Sequence, residues 1–145
     1  MRNFKGYKDI VYAIIGSAME VHSTLHWGLL EAVYNESLCL ELADRGIKCE
    51  SEKLLSCFYK SHKLEKTYKM DVVVDDVIVE LKSVKTIMPA HRAQLFNYMR
   101  ITQLNRGILL NFCEKSLRAE RYLYLEDEDR FVLLTQNNYK GYIID

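Results

Sequence analysis

A chain of 145 residues is long enough to bury most of its apolar surface in one core and short enough to need no second domain. Twenty basic residues cancel twenty acidic ones, which excludes a global electrostatic footprint for nucleic acid or an anionic membrane, so any phosphate-binding surface must be local. Cys39, Cys49, Cys57 and Cys113 are scattered without a Cys-x-x-Cys pair. With neither a secretory leader nor a long apolar span, they point to a reducing, cytoplasmic compartment and no membrane partner.

In chain order, residues 7 to 25 carry Ile10, Val11, Ile14, Ala18, Val21 and Leu25 at helical spacing, which predicts an amphipathic helix. His22 and His26 have the four-residue separation of a zinc pair, yet the acidic residue of a His-Glu-x-x-His motif is missing. A second helix is expected from near Gly28 through Leu30, Val33, Tyr34, Leu38 and Leu42, stopped by Gly46. Residues 47–51, 54–59, 67–74 and 77–84 read as successive strands, with a polar turn at 60–63. Pro89 announces a helix over 90–101, with His91 at its start, and Gly107 introduces a short buried strand ending at Phe112. Residues 121–125 and 131–135 are expected as edge strands about the charged turn 126–130, and the chain beyond Asn137 is left unassigned. No repeat, low-complexity tract or linker interrupts this order.

The segment from Met70 to Lys82 carries the chemistry. Asp75-Asp76 lies between two β-branched runs and reads as a two-residue turn, so Val74 pairs with Val77 and Asp71 falls opposite Glu80. Alternation then places Met70, Val72, Val74, Val77, Val79 and Leu81 on an apolar face, and Asp71, Glu80 and Lys82 on the other. Directly opposed side chains have Cβ atoms about 5 Å apart, where two carboxylates repel unless a cation or a proton intervenes. Mg²⁺ suits such a pair. The competing reading is a solvated hairpin face with a weak exposed Glu80–Lys82 ion pair.

Asp71, then Glu80-Leu81-Lys82 on the next strand, then a helix with Gln94 and Tyr98, resembles the PD-(D/E)XK nuclease superfamily. Gly28-Leu29-Leu30-Glu31-Ala32-Val33-Tyr34 narrows the resemblance to the GxxExxY protein family, a bacterial and archaeal branch. The likeness spans roughly residues 7–125 of a single domain, leaving 126–145 as a C-terminal extension. It implies an α/β fold with a restriction-endonuclease-like αβββαβ core, a mixed central sheet flanked by helices. It also implies that Asp71 and Glu80 hold Mg²⁺ or Mn²⁺, with Glu31 as a further metal-facing acid, and that Lys82 orients or activates the attacking water. By the same resemblance Gln94 supports the catalytic centre, Tyr98 binds a phosphate or holds the lysine, and Tyr34 contacts substrate. His26-Trp27 departs from the family's usual glycine-rich approach to Gly28, and the polar turn replaces a Tyr-x-Gly approach to the sheet. The activity so implied is hydrolysis of phosphodiester bonds in DNA or RNA. A catalytically silent module of the same fold, binding nucleic acid or protein, and a different metal-dependent hydrolase are the alternatives.

Overall fold

Helix and strand boundaries follow from backbone conformation at a few residues. The computed structural model describes residues 6–143. Helix α1 (Tyr7–Leu25) ends at His26, whose φ of 63° leaves the helical region. Helix α2 (Glu31–Asp44) begins later than Gly28, because Gly28 at φ 95° belongs to the connecting loop. It stops as expected: Gly46 takes φ 77°, its N–H reaches Ala43 O at 2.9 Å and the Ile47 N–H reaches Leu42 O at 2.9 Å. That double closure is a Schellman motif, which a Cβ at Gly46 would strain.

Strands β1 (Glu50–Tyr59), β2 (His62–Val74) and β3 (Val77–Lys82) follow, then helix α3 (Pro89–Thr102), strands β4 (Arg106–Asn111), β5 (Arg118–Leu125) and β6 (Arg130–Leu133), and a 3₁₀ turn at Tyr139–Gly141. The six strands make one mixed sheet in sequence order. All neighbours are antiparallel except β3 and β4, which α3 connects as a crossover. The fold class expected from the sequence is therefore observed. No helix among the described residues is long and apolar enough to cross a membrane.

Several boundaries differ from expectation. Residues 47–51 and 54–59 are not two strands: one strand starts at Glu50, with Glu52 at φ 52° inside it. The turn after it needs only Lys60 and Ser61, so β2 begins at His62. Strand β5 is interior, leaving β1 and β6 as the edges.

Both faces of the sheet are covered. Helices α1 and α2 bury Val11, Ile14, Tyr34 and Leu38 against Val72, Val79, Leu81 and Phe112. On the other side α3 buries Leu95, Tyr98 and Met99 against Val73, Ile78 and Leu109. The competing reading of a solvated hairpin face for β2 and β3 is thus excluded: a parallel β3–β4 pair requires cover on both faces. The placement of Met70 is corrected, since it joins the α3 side with Val73 rather than the α2 side with Val72. Strict alternation breaks between them at Asp71, which lies opposite the positive-φ Glu52.

Gly107 lets β4 lie close against the α3 side chains. A Cβ there would lie 2.6 Å from Met99 Sδ and 3.1 Å from Leu95 Cδ1. Gly107→Ala should therefore lower stability by about 1–3 kcal/mol, seen as a lower urea midpoint at unchanged m-value. An unchanged midpoint would show that α3 yields without loss of packing.

Candidate active site

The ladder between β2 and β3 has Val72 opposite Val79 as its last pair. At the next position side chains take over from the backbone. The Asp71 N–H donates to Glu80 Oε1 at 3.2 Å, and Asp71 Oδ2 accepts from the Leu81 N–H at 2.9 Å. The two carboxylates expected to oppose each other are brought together.

Glu80 sits on a strand covered on both faces and is only 1% exposed. Its second oxygen, Oε2, is buried with no hydrogen-bond partner. Burial first, and then the charge of Asp71, push its carboxyl up to about 9, while Lys82 opposes the shift. Two acids sharing a low-dielectric site cannot both ionise without a compensating positive charge. The orphaned oxygen and the all-oxygen donor set fit a hard divalent cation held between Asp71 and Glu80.

Lys82 reaches the same centre from the end of β3. Its Nζ donates to Gln94 Oε1 at 2.6 Å, and Gln94 Nε2 donates to the Tyr98 hydroxyl at 3.1 Å. Gln94 and Tyr98 are one turn apart on α3, so a packed helix holds the ammonium. Burial, foremost, raises the Tyr98 hydroxyl above its ordinary value; Glu80 and Asp71 add to this, which places both acids within electrostatic reach.

Glu31 opens α2. Its carboxyl is raised first by burial, then by Asp71, and lowered by Lys82. It lines, with Asn35, Ser51, Glu52 and Asp71, a cleft of about 680 Å³. Among the described residues no three His, Cys, Asp or Glu side chains gather closely enough to form a ready-made metal cluster; Glu31 shares the cleft with Asp71.

Tyr34 does not carry over as a substrate contact. It is fully buried, stacked on Phe112 at 4.5 Å, with its hydroxyl donating to His26 O at 2.7 Å and accepting the Leu29 N–H at 3.1 Å. It braces the loop before Glu31. His22 Nε2 is engaged with Glu114 O at 2.7 Å rather than paired with His26. His91 Nδ1 accepts the Met88 N–H at 2.9 Å, the helix-start role expected of it.

Three supporting residues escaped the sequence reading. Asn35 Nδ2 donates to Asp71 O at 3.1 Å and its Oδ1 accepts from Ser51 at 2.7 Å. Buried Asn111 clamps Val84 through its N–H at 3.1 Å and its carbonyl at 2.8 Å, fixing the chain just beyond Lys82. Ser83 donates to Leu29 O at 2.6 Å, tying that segment to the loop braced by Tyr34. Asn111 alone left a sequence signal, a polar residue inside an otherwise apolar run.

A family model described as the PD-(D/E)XK nuclease superfamily matches residues 8–122. The chain belongs to that superfamily. Nucleases of this superfamily hydrolyse phosphodiester bonds and generally use divalent metals such as Mg²⁺. The crystal structure of SSO0001 is similar at 18% identity and a TM-score of 0.49, over 79% of this chain and 58% of that one. The chain thus spans 58% of that protein's length. No curated protein matches.

The buried acid of this PD-(D/E)XK site makes metal-free stability depend on pH. An acid whose folded pKa lies above its unfolded one loses stability as pH rises between the two. For Glu80 that window runs from the ordinary carboxylate range to about 9, with a slope of about 1.4 kcal/mol per pH unit. In chelator, Glu80→Gln should melt above the wild type at pH 8, and the gap should close near pH 4. Parallel melting profiles across that range would contradict the assignment of strain to Glu80.

Proposed function

We propose that this chain is a divalent-metal-dependent nuclease of the GxxExxY branch, acting on DNA or RNA in a reducing cytoplasm. The observation that carries the reading is the buried, partnerless Glu80 Oε2 beside Asp71. An arrangement that destabilises the fold without a cation is retained where a cation is used.

In this reading Asp71 and Glu80 hold Mg²⁺ or Mn²⁺, with Glu31 as a further acid toward the metal or a water on it. The cation, when bound, supplies Lewis-acid polarisation of the phosphoryl oxygen and a more acidic water. Lys82 holds a positive charge where the phosphate becomes more anionic, or steadies the attacking water. Gln94 fixes the lysine through its amide oxygen, and Tyr98 fixes the amide, so both are positioning residues. Tyr34 keeps the loop at Gly28 and Glu31 in register with the end of β3. The four free cysteines support the reducing compartment. A catalytically silent binding module remains the second reading, favoured by the lack of a ready-made three-ligand cluster among the described residues.

Purified wild type should cleave nucleic acid in Mg²⁺ and not in chelator. Asp71→Ala and Glu80→Ala should each abolish that activity with the fold intact by circular dichroism, whereas undiminished cleavage by either would sink the reading. Glu31→Gln should weaken metal titration or turnover more than Glu36→Gln on the same helix.

Lys82→Ala should still bind metal and nucleic acid but cleave at least about tenfold more slowly in single turnover, about 1.4 kcal/mol of transition-state stabilisation. Lys82→Arg should not restore the rate, because a planar guanidinium cannot reproduce the point contact with Gln94. An unchanged single-turnover rate in Lys82→Ala would remove the lysine from the chemistry.

A further inference from the structure

Beyond Asp71 the sheet continues in a form that neither the core nor the carboxylate pair requires. Strand β2 pairs with β3 only over Val72–Val74 but stays paired with β1 out to the Tyr59–His62 turn. Residues 53–69 therefore form a two-stranded ribbon, and every side chain in it is exposed except Leu55 and Cys57. By the rise of a β-strand, its length from Met70 to the turn is about 25 Å.

The ribbon's composition departs from that of the chain. It holds five lysines, at positions 53, 60, 63, 66 and 69, against Glu65 alone, in a protein of zero formal net charge. Lys53 bonds Glu50 at 3.2 Å and Lys60 lies 5.5 Å from the Tyr59 ring. Lys63, Lys66 and Lys69 form no ion pair among the described residues. Lysines alone would be explained as guards of an open strand edge. The accompanying Leu54, Phe58, Tyr59, Leu64 and Tyr68, each 41–63% exposed, would not. Cations interleaved with exposed apolar and aromatic side chains suit a duplex groove, where lysines meet the phosphates and apolar groups meet thymine methyls.

The ribbon is also continuous with the candidate site. The Tyr68 ring lies 5.9 Å from that of Tyr98. A groove of about 350 Å³ lined by Tyr68, Gln94, Tyr98 and Arg100 joins the ribbon to the helix that holds Lys82.

We propose that the β1–β2 ribbon is a grip for duplex DNA that inserts in the major groove and leads one phosphate backbone toward Lys82, Gln94 and Tyr98. This rests on the nuclease reading of the site. Two strands about 4.8 Å apart with their side chains match a B-form major groove about 12 Å wide, which admits a β-ribbon. The A-form major groove of duplex RNA is too deep and narrow for it. Alternation puts Lys66 with Tyr68 on the α3 side and Lys69 on the other, so cations project from both faces, as two phosphate walls require.

The test uses the full chain in chelator, with fluorescence anisotropy of labelled mixed-sequence duplex DNA, the same sequence as a single strand, and as duplex RNA. Wild type should prefer duplex DNA. The exposed triple variant Lys63→Gln, Lys66→Gln, Lys69→Gln should melt like the wild type and bind duplex DNA roughly tenfold more weakly, with its log–log salt slope shallower by about 2 to 3. Unchanged affinity and slope, or a wild-type preference for single strands or duplex RNA, would overturn the grip. So would a wild-type dimer in sedimentation that Leu54→Ser with Phe58→Ser dissolves. The two readings separate cleanly: DNA binding that the triple variant loses, with no cleavage in Mg²⁺ by any form, keeps the grip and ends the nuclease reading. Metal-dependent cleavage at unchanged kcat/KM in the triple variant keeps the nuclease and ends the grip.

Discussion

A carboxyl group held at 1% exposure against a second acid is the constraint from which the rest of the site follows. In water the two charges of Asp71 and Glu80 would separate, but here each side chain is tied to the backbone of the other's strand. The repulsion is therefore built into the sheet and is relieved only by a proton or a cation. That is the arrangement of a preorganised site, in which local stability is sacrificed for a fixed geometry.

Rigid support surrounds this pair. Strand β3 lies between β2 and β4 and beneath helices on both faces, so Glu80 is enclosed while Lys82, at the strand's end, is half-buried. Lys82 is positioned through Gln94 and Tyr98 on α3, while Asn111 and Ser83 pin the chain immediately after it. The Gly28–Tyr34 segment belongs to the same network from the opposite layer. Its tyrosine holds the loop and its glutamate lies within electrostatic reach of Asp71, so one short motif supplies both a brace and an acid.

The break at Asp71 organises the molecule at a larger scale. Where Glu52 turns to positive φ opposite Asp71, the strands lose strict alternation and β2 parts from β3. On one side lies a doubly covered sheet with an apolar interior. On the other lies an exposed lysine-rich ribbon. The acidic pair occupies the junction, a position from which bound cation and bound polyanion would meet.

Much of this was legible in the residues alone. Helix α1, the Gly46 stop, the Asp75-Asp76 turn and the meeting of Asp71 with Glu80 all follow from local rules of period, glycine conformation and turn chemistry, which act over a few residues. The Gln94–Tyr98 spacing likewise announced a shared helical face. What tertiary structure alone decided is of longer range. The burial of Glu80 depends on α3 covering a face that alternation marked only as polar. The shift of Met70 depends on a backbone kink at Glu52 that no glycine or proline signals. Tyr34 reads as a helical tyrosine until its hydroxyl finds His26 and Leu29, and Asn35 reads as an ordinary helix residue until it reaches Asp71. Sequence periodicity specifies which residues share a face. Which faces are then enclosed, and which polar groups are thereby forced to find partners, is settled only when the layers pack.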